Sequence, residues 1–414
     1  MKTVWPLASV ESLCTRVTSG GTPSRSNSAY YENGTIPWIK TGELKDWYVD
    51  AIQEKITEVA LRESSAKLFP PDTVLLAMYG DGKTMGSVGL LRKSCATNQA
   101  CCAMLPDPAK CDPKFLLYSL IYFRPAILKL TIAGAQRNLN GKTIKQFKIG
   151  APDLEDQRRI ASILSAYDNL IENNTRRIAI LEEMARRIYE EWFVRFHFPG
   201  HEQVKRVESE LGLIPEGWRV GSLGEAAAIN ARSIRPADAP LEILYIDIAS
   251  VVPGAITQKQ PYRFSEAPGR ARRVVGHGDV IWSCVRPNRR SYALILQPEP
   301  ALIASTGFAV LSAKSVPYSY LYFAVTTDDF VGFLTNHATG AAYPAVTAST
   351  FEAAPFLIPE EEVADQFHAV VAPMLDLSET LKRKNANLRA TRDLLLPKLI
   401  SGELDVSTLS EPTV

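Results

Sequence analysis

The segment from Ala77 to Thr84 has the spacing of a phosphate-binding loop, in which a turn ends in Gly-Lys-Thr. In such a loop Lys83 would bind phosphate and Thr84 would hold magnesium, and the apolar run before them would be a strand. This chemistry requires a helix to begin at the Gly-Lys-Thr, because unpaired N–H groups and the helix dipole must face the anion. The chain instead continues "MGSVGL", which opposes a helix. We therefore expect strand, turn and strand with a lysine at the tip, and keep an NTPase as the first alternative.

Other residues that could do chemistry lack partners at useful spacings. Five of the six cysteines lie in the first third of the chain, but there is no Cys-x-x-Cys pair and no histidine among them. We expect buried free thiols and no metal site. His197 and His201 have a zinc-like spacing, but "PG" lies between them and we assign both to a linker.

Signatures of several enzyme classes are missing from the chain. It has no Asn-Pro-Pro-aromatic tetrapeptide of an amino-methyltransferase, no glycine-rich cofactor loop and no nuclease carboxylate pair followed by a lysine. The formal net charge of +1 excludes neither nucleic acid nor protein partners. No apolar h-region or membrane-spanning stretch is present. We expect a non-catalytic, cytoplasmic protein that does not contact a membrane.

Comparison of the chain with itself indicates two copies of one unit. "IPWI" from residue 36 matches "ILYI" from residue 243, "DTVL" from residue 72 matches "DVIW" from residue 279, and Pro152 matches Pro359, all at an offset of 207 residues. One offset kept over such a length is typical of an internal repeat. The predicted fold class is α/β (α+β), with two globular domains, two long helices and an approximate internal two-fold.

Each copy is an irregular domain rich in Gly and Pro, followed by a long helical pattern. The segment "LGLIPEGW" at residues 211–218 contains the Pro and Gly that end the preceding helix. The expected segments are a first globular domain at 1–151, a first long helix at 152–198, a linker at 199–217, a second globular domain at 218–358, a second long helix at 359–402 and a tail at 403–414.

The helices carry the heptad pattern of a coiled coil, with seam residues spaced alternately four and three. The seam of the first runs from Ile160 to Trp192, and that of the second, from Phe367 to Leu399, occupies the same positions at the offset of 207. Basic runs at residues 176–177, 186–187 and 382–384 could contact nucleic acid, but such runs are more often a solvated face. The residues expected in the core of the helix pair are Ile160, Leu164, Ile171, Asn174, Leu181, Phe367, Val371, Asn385, Leu388 and Leu395.

Each seam contains one central asparagine, and polar seam residues cost least when they face each other. In a parallel pair, Asn174 would face Leu381 and Asn385 would face Ile178. In an antiparallel pair the two asparagines meet. We therefore predict an antiparallel pair, with the globular domains at opposite ends of a rod roughly 50 Å long.

Four segments carry a family resemblance. They are the Gln-x-x-Ile-Ala-x-Ile-Leu-Ser-x-x-Asp run of residues 157–168, "WF" at residues 192–193, "IPEGW" before the second domain and "LLPKLISGEL" near the C-terminus. With the two divergent domains and their helices, they resemble the specificity subunit of a Type I restriction-modification system over nearly the whole chain. The second helix has Ala364 where the first has Gln157.

The resemblance implies a DNA-binding subunit without a catalytic site or cofactor of its own. Its two target-recognition domains would each read half of a bipartite target in double-stranded DNA, and the helices would be spacer and docking surface for two methyltransferase subunits. Those partners would bind S-adenosylmethionine and methylate a flipped adenine. Motor-nuclease subunits, with ATP, would cleave unmethylated DNA. A coiled-coil scaffold without DNA affinity is the second alternative.

Polar loops of both domains could contact DNA. At the offset of 207, the tip at residues 80–84 coincides with "PNRRS" at residues 287–291, so a basic tip follows a strand in both copies. Arg and Lys commonly read guanine, and Asn and Gln commonly read adenine. Any single residue of these types is nevertheless more often a surface or capping residue. The candidates are Lys40, Thr41, Tyr79, Lys83, Asn98, Gln99, Arg137, Asn138 and Lys142 in the first copy, and Arg272, Arg273, Arg286, Asn288, Arg289, Arg290 and Tyr343 in the second.

Overall fold

The structure is a computed structural model that describes residues 5–80, 84–131, 138–235 and 238–406. The chain divides into two compact units, and the division falls within both long helices. The first unit comprises residues 1–174 and 384–414, and the second comprises residues 175–383. Each unit therefore combines one sheet-rich domain with part of each long helix.

The first unit contains two four-stranded sheets. The antiparallel sheet has, in spatial order, strands Cys14–Ser19, Cys101–Pro106, Val74–Ala77 and Val88–Leu90. The second sheet has the order Glu54–Ile56, Ile36–Ile39, Cys95–Thr97 and Leu68–Phe69, with its two middle strands parallel. Strand Leu7–Ser9 pairs with Lys148–Gly150. The shorter helices are Glu58–Glu63, Pro113–Lys129 and Gly141–Gln146.

The second unit repeats this topology. Its antiparallel sheet has the order Ala227–Ile229, Phe308–Ala313, Val280–Ser283 and Tyr292–Leu294. Its mixed sheet has the order Gln260–Arg263, Glu242–Ile246, Leu302–Ser305 and Ala271–Val274. Arg219–Ser222 pairs with Pro355–Ile358, and two hairpins are formed by Arg206–Ser209 with Gly212–Pro215 and Val251–Val252 with Ala255–Ile256. The shorter helices are Leu223–Ala226, Tyr318–Ala324, Asp328–Asn336 and Ala348–Glu352.

The matching strand orders confirm the internal repeat and the mixed α/β fold class. Strand Cys101–Pro106 coincides with Phe308–Ala313 at the offset of 207 residues. The central strands Val74–Ala77 and Val280–Ser283 are buried along their whole length, because a sheet or a helix covers each face.

The turn after Val74–Ala77 contradicts the phosphate-loop alternative. It leads into strand Val88–Leu90, which pairs antiparallel with Val74–Ala77, so no helix begins at Thr84. Gly86 has a φ of 82°, and an added Cβ there would lie 3.1 Å from Cγ of Arg124, which fits glycine at this turn. The predicted order of strand, turn and strand is confirmed. Lys83 itself lies outside the described residues.

The two long helices are Leu154–Tyr189, which continues as a π-helical turn over Glu190–Val194, and Glu361–Ile400. Every residue of the two predicted seams is buried or half-buried. Among the residues expected in the core of the pair, the buried ones are Ile160, Leu164, Ile171, Phe367, Val371 and Asn385, and the half-buried ones are Asn174, Leu181, Leu388 and Leu395.

In the first unit the long helices are antiparallel. Ile160, near the start of the first helix, packs in one hydrophobic cluster with Leu399, near the end of the second. Farther along, Asn174 Nδ2 donates a hydrogen bond to Asn385 Oδ1 over 2.9 Å, and Asn385 Nδ2 donates to the carbonyl oxygen of Ile171 over 3.3 Å. The predicted pairing of the two asparagines is confirmed.

A buried carboxylate joins the first sheet-rich domain to both helices. Asp168, which is 4% exposed, accepts hydrogen bonds from the hydroxyl of Tyr118 over 2.6 Å and from the guanidinium of Arg392. Burial raises the pKa of Asp168 above its ordinary value, and the hydrogen bond from Tyr118 and the charge of Arg392 oppose that shift. Tyr118 belongs to helix Pro113–Lys129, so these contacts link that helix to both long helices. They also give Arg392 a charged partner.

Gln157, in the segment that carries the family resemblance, holds the start of the first long helix. Its side-chain amide donates to the carbonyls of Lys110 and Pro152 over 3.0 and 2.9 Å, and its Oε1 accepts from the backbone N–H of Asp112 over 3.0 Å. Asp112 in turn caps helix Pro113–Lys129. The second unit has Ala364 at the matching position and forms none of these bonds there.

In the second unit the helices are also antiparallel. Phe193 lies against Phe367, with ring centroids 5.0 Å apart. Earlier in the first helix and later in the second, Glu182 accepts from Ser378 over 3.1 Å and pairs with Lys382 over 2.7 Å. Residue numbers therefore rise along one helix as they fall along the other.

We expect Asn174→Cys and Asn385→Cys to form a disulfide readily in a chain whose six native cysteines have been replaced, because their amides are hydrogen-bonded. The matched control pairs Asn174→Cys with Leu395→Cys, about 15 Å farther along the second helix. Non-reducing gel electrophoresis measures how much disulfide forms in each of the two double-cysteine variants. A disulfide between positions 174 and 381, with none between 174 and 385, would contradict the antiparallel register.

Candidate nucleic-acid interface

In each unit, the turn after the central strand lies beside a loop that precedes a short helix. In the first unit the N–H of Leu139 donates to the carbonyl oxygen of Met78 over 3.0 Å. In the second the N–H of Val346 donates to the carbonyl oxygen of Cys284 over 2.9 Å. The topology thus brings together two loops that are far apart in each copy of the sequence.

The first unit adds a third segment to this edge. The N–H of Asn98 donates to the carbonyl oxygen of Ile39 over 3.0 Å, and the N–H of Met78 donates to that of Ala100 over 2.8 Å. The ends of three strands therefore meet. Six of the sequence candidates lie on these neighbouring segments: Lys40, Thr41, Tyr79, Asn98, Gln99 and Asn138.

A cluster of charged and aromatic side chains surrounds Lys40. Glu54 pairs with Lys40 and with Arg25, each over 2.7 Å, and the hydrogen bond from Lys40 is the main cause that holds the pKa of Glu54 below its ordinary value. The guanidinium of Arg25 lies 4.6 Å from the ring centroid of Tyr31 and 4.9 Å from that of Trp38. The sequence analysis missed Arg25, because no local motif links it to these neighbours.

At the tip of the second unit, the turn Pro287–Arg289 is flanked by two arginines with positive φ. Arg286 donates to the carbonyl oxygen of Ala342 over 3.0 Å, and its guanidinium lies 4.6 Å from the ring centroid of Tyr343. Arg290 forms an ion pair with Asp328 over 2.5 Å. Asp328 begins helix Asp328–Asn336, and the sequence analysis missed it because its partner is 38 residues away.

The remaining candidates are less uniformly placed. Asn288 and Arg289 are exposed at the tip of the second unit, and Lys142 is exposed on helix Gly141–Gln146. Arg272 and Arg273 lie instead on strand Ala271–Val274 of the mixed sheet. Lys83 and Arg137 lie outside the described residues.

The two arginines of the mixed sheet have different surroundings. The guanidinium of Arg272 lies 5.0 Å from the ring centroid of Phe264, and it donates to the carbonyl oxygen of Ala271 over 2.8 Å. Nε of Arg273 is buried and has no hydrogen-bond partner among the described residues.

A cleft of about 840 Å³ in the second unit separates the tip from the long helices. Two cations from the predicted basic runs line it, and both are paired: Arg186 with Glu183 over 2.8 Å and Lys382 with Glu182 over 2.7 Å. The first pair lies within one helix, as is typical of a solvated face, and the second joins the two long helices.

Other kinds of site find little support in the described ranges. No group of three or more His, Cys, Asp and Glu side chains there could hold a metal ion, and no helix is long and apolar enough to cross a membrane. The six cysteines are free, and burial raises the pKa of Cys102 to about 12. This thiol is therefore un-ionised at neutral pH and unreactive.

Residues 5–183 match the family described as "Type I restriction modification DNA specificity domain". The chain is 25% identical over 407 residues to the Type I restriction enzyme MjaIX specificity subunit of Methanocaldococcus jannaschii, covering 95% of this chain and 92% of that protein. It is 29% identical over 190 residues to the EcoR124I/EcoR124II specificity subunit of Escherichia coli, covering 45% and 46%.

The fold matches that of the S subunit of a Type I restriction-modification system from M. genitalium, whose crystal structure gives a TM-score of 0.66. The identity is 16%, over 97% of each chain. Together with the family match and the two relatives, this likeness confirms the resemblance inferred from the sequence.

We expect Asp328→Ala to strengthen binding to duplex DNA of any sequence, because it frees Arg290 for a phosphate. The slope of log affinity against log salt should steepen by about one. Asp329→Ala is the matched control, since it removes the same charge from the same helical turn and leaves the ion pair intact. Fluorescence anisotropy over a salt series measures both. Equal slopes for the two variants would show that Arg290 does not reach DNA.

Proposed function

We propose that this chain, which belongs to the family of Type I restriction-modification specificity subunits, is the sequence-reading subunit of such a system. It binds double-stranded DNA and has no catalytic site. The methyltransferase subunits bind S-adenosylmethionine, and the motor-nuclease subunits bind ATP. This chain selects the DNA sequence on which both kinds of subunit act.

The repeated topology is the single observation that carries this proposal. In both units the segment that follows the central strand lies beside a second loop, yet the side chains there differ. Tyr79 and Asn138 lie on the two loops of the first unit, and Arg286 and Tyr343 on those of the second. One scaffold with two different sets of donors and acceptors suits the reading of two different half-sites, and hence a bipartite target.

The side chains at these edges suit duplex DNA. The exposed amide of Gln99 can pair with adenine, and arginines can pair with guanine or with phosphate. The exposed Arg289 at the tip of the second unit, and the exposed Lys142 on the helix that follows the loop of the first, supply charge for phosphates. Phosphate contacts would position each unit, and the fixed side chains would read bases.

The long helices support docking of two methyltransferase subunits, one to each unit. In the first unit Leu170 and Leu394 are 51% and 69% exposed on the helices. In the second, Ile180 and Met184 are 58% and 46% exposed. Large apolar side chains on an otherwise charged helical surface are typical of protein interfaces. Each unit thus offers its own apolar surface to a partner.

Replacing residues 218–358 with the corresponding domain of a relative should change one half of the methylated motif and leave the other half intact. The expectation follows from the separate core and the separate reading edge of each unit. The chain is co-expressed with its methyltransferase partner, and adenine methylation is mapped across the host genome.

The reciprocal exchange of residues 1–151 is the control and should change the other half. If either exchange alters both halves together, the modular reading is wrong. If the native chain with its partner methylates no bipartite motif, the proposed function itself fails.

A further inference from the structure

Three arginines at the tip of the second unit are held in different ways. Arg290 is neutralised by Asp328 over 2.5 Å. Arg289 is exposed, and its side chain forms no hydrogen bond or ion pair with the described residues. Arg286 is fixed in place and yet not neutralised, since no carboxylate in the described part of the chain pairs with it.

Neighbouring groups hold both ends of Arg286. Its backbone N–H donates to the carbonyl oxygen of Pro344 over 2.7 Å, and its Nη2 donates to that of Ala342 over 3.0 Å. The guanidinium carbon lies 4.6 Å from the ring centroid of Tyr343, so the ring covers one face of the group. These contacts fix the side chain with groups that leave its charge available.

The backbone of Arg286 has an unusual conformation. The residue has φ 51° and ψ 63°, a left-handed conformation that only a few per cent of non-glycine residues adopt. The next residue, Pro287, is buried and begins the 3-10 turn. Unusual backbone conformations of this kind concentrate at functional sites, where the surrounding contacts maintain them.

A guanidinium has five N–H donors, and the bond to Ala342 uses one of them. The remaining donors include one on each terminal nitrogen, the fork that matches O6 and N7 of guanine in the major groove. Because the side chain is already ordered, binding costs little further conformational entropy. A phosphate, in contrast, needs only charge, which the exposed Arg289 provides without a fixed orientation.

We propose that Arg286 reads a guanine in the half-site of the second unit, with Tyr343 as the residue that positions its guanidinium. The inference rests on the proposed function and adds to it the base and the atoms that recognise it. Arg290 has a different role, since its ion pair with Asp328 ties the tip to helix Asp328–Asn336.

The test uses the complex of the full chain with its methyltransferase subunits, and a duplex with the mapped target. In a series of duplexes, each guanine of the second half-site is replaced in turn. We expect Arg286→Lys to reduce the preference for one guanine by roughly 5- to 150-fold, because lysine keeps the charge but loses the fork. The salt dependence and the preference at the first half-site should stay unchanged.

Arg289→Lys is the matched control on the same turn, and it should leave every base preference unchanged. Tyr343 is tested by two variants. Tyr343→Phe keeps the ring and should keep the preference for the same guanine, whereas Tyr343→Ala should reduce it. Rescue by phenylalanine separates positioning by the ring from any contact of the hydroxyl.

The alternative results are distinguishable. If the wild-type complex recognises no bipartite target, the proposed function fails. If it does, but Arg286→Lys keeps every guanine preference, or weakens binding equally for all sequences, Arg286 is not a base reader and the inference is wrong. A second half-site without guanine would also overturn it.

Discussion

The polar contacts buried between the two long helices set the register on which both units depend. An apolar heptad seam can slide by a layer at little cost, but the hydrogen bond between Asn174 and Asn385 exists in one alignment only. Each amide left without a partner would cost about 1–3 kcal/mol. The contact between Asp168 and Arg392 adds a charged pair in the same alignment. Polar seam residues thus specify the pairing that apolar residues stabilise.

That register decides which segments complete each hydrophobic core. In the first unit, Leu396 and Leu399 from the end of the chain pack with Ile160 and Leu164. In the second, Phe367 and Val371 pack with residues of the first helix and of the sheet-rich domain. Neither core is built from one continuous stretch of chain. The two long helices therefore contribute to the hydrophobic core of each unit.

The loop-bearing edges of the two units combine the same topology with different side chains. The same strand order brings the start of the turn after the central strand beside a loop in both units, because backbone hydrogen bonds make that approach and no particular side chain is required. The side chains there are free to differ, and the three arginines of the second tip have three different environments. One is neutralised, one is exposed and one is ordered without being neutralised.

The sequence alone determined the repeat, the mixed fold class and the direction of the helices, because a constant offset, heptad spacing and one asparagine in each seam can all be seen without knowing any contact. It also excluded a helix after Thr84, since two glycines and a valine act through their own backbone preferences. The neighbours of each candidate were decided by the tertiary structure. Arg286 meets Tyr343, and Arg290 meets Asp328, through long-range folding of the chain. The sequence gives an arginine its charge, but only packing decides whether that charge is paired, exposed to solvent or ordered without a carboxylate partner.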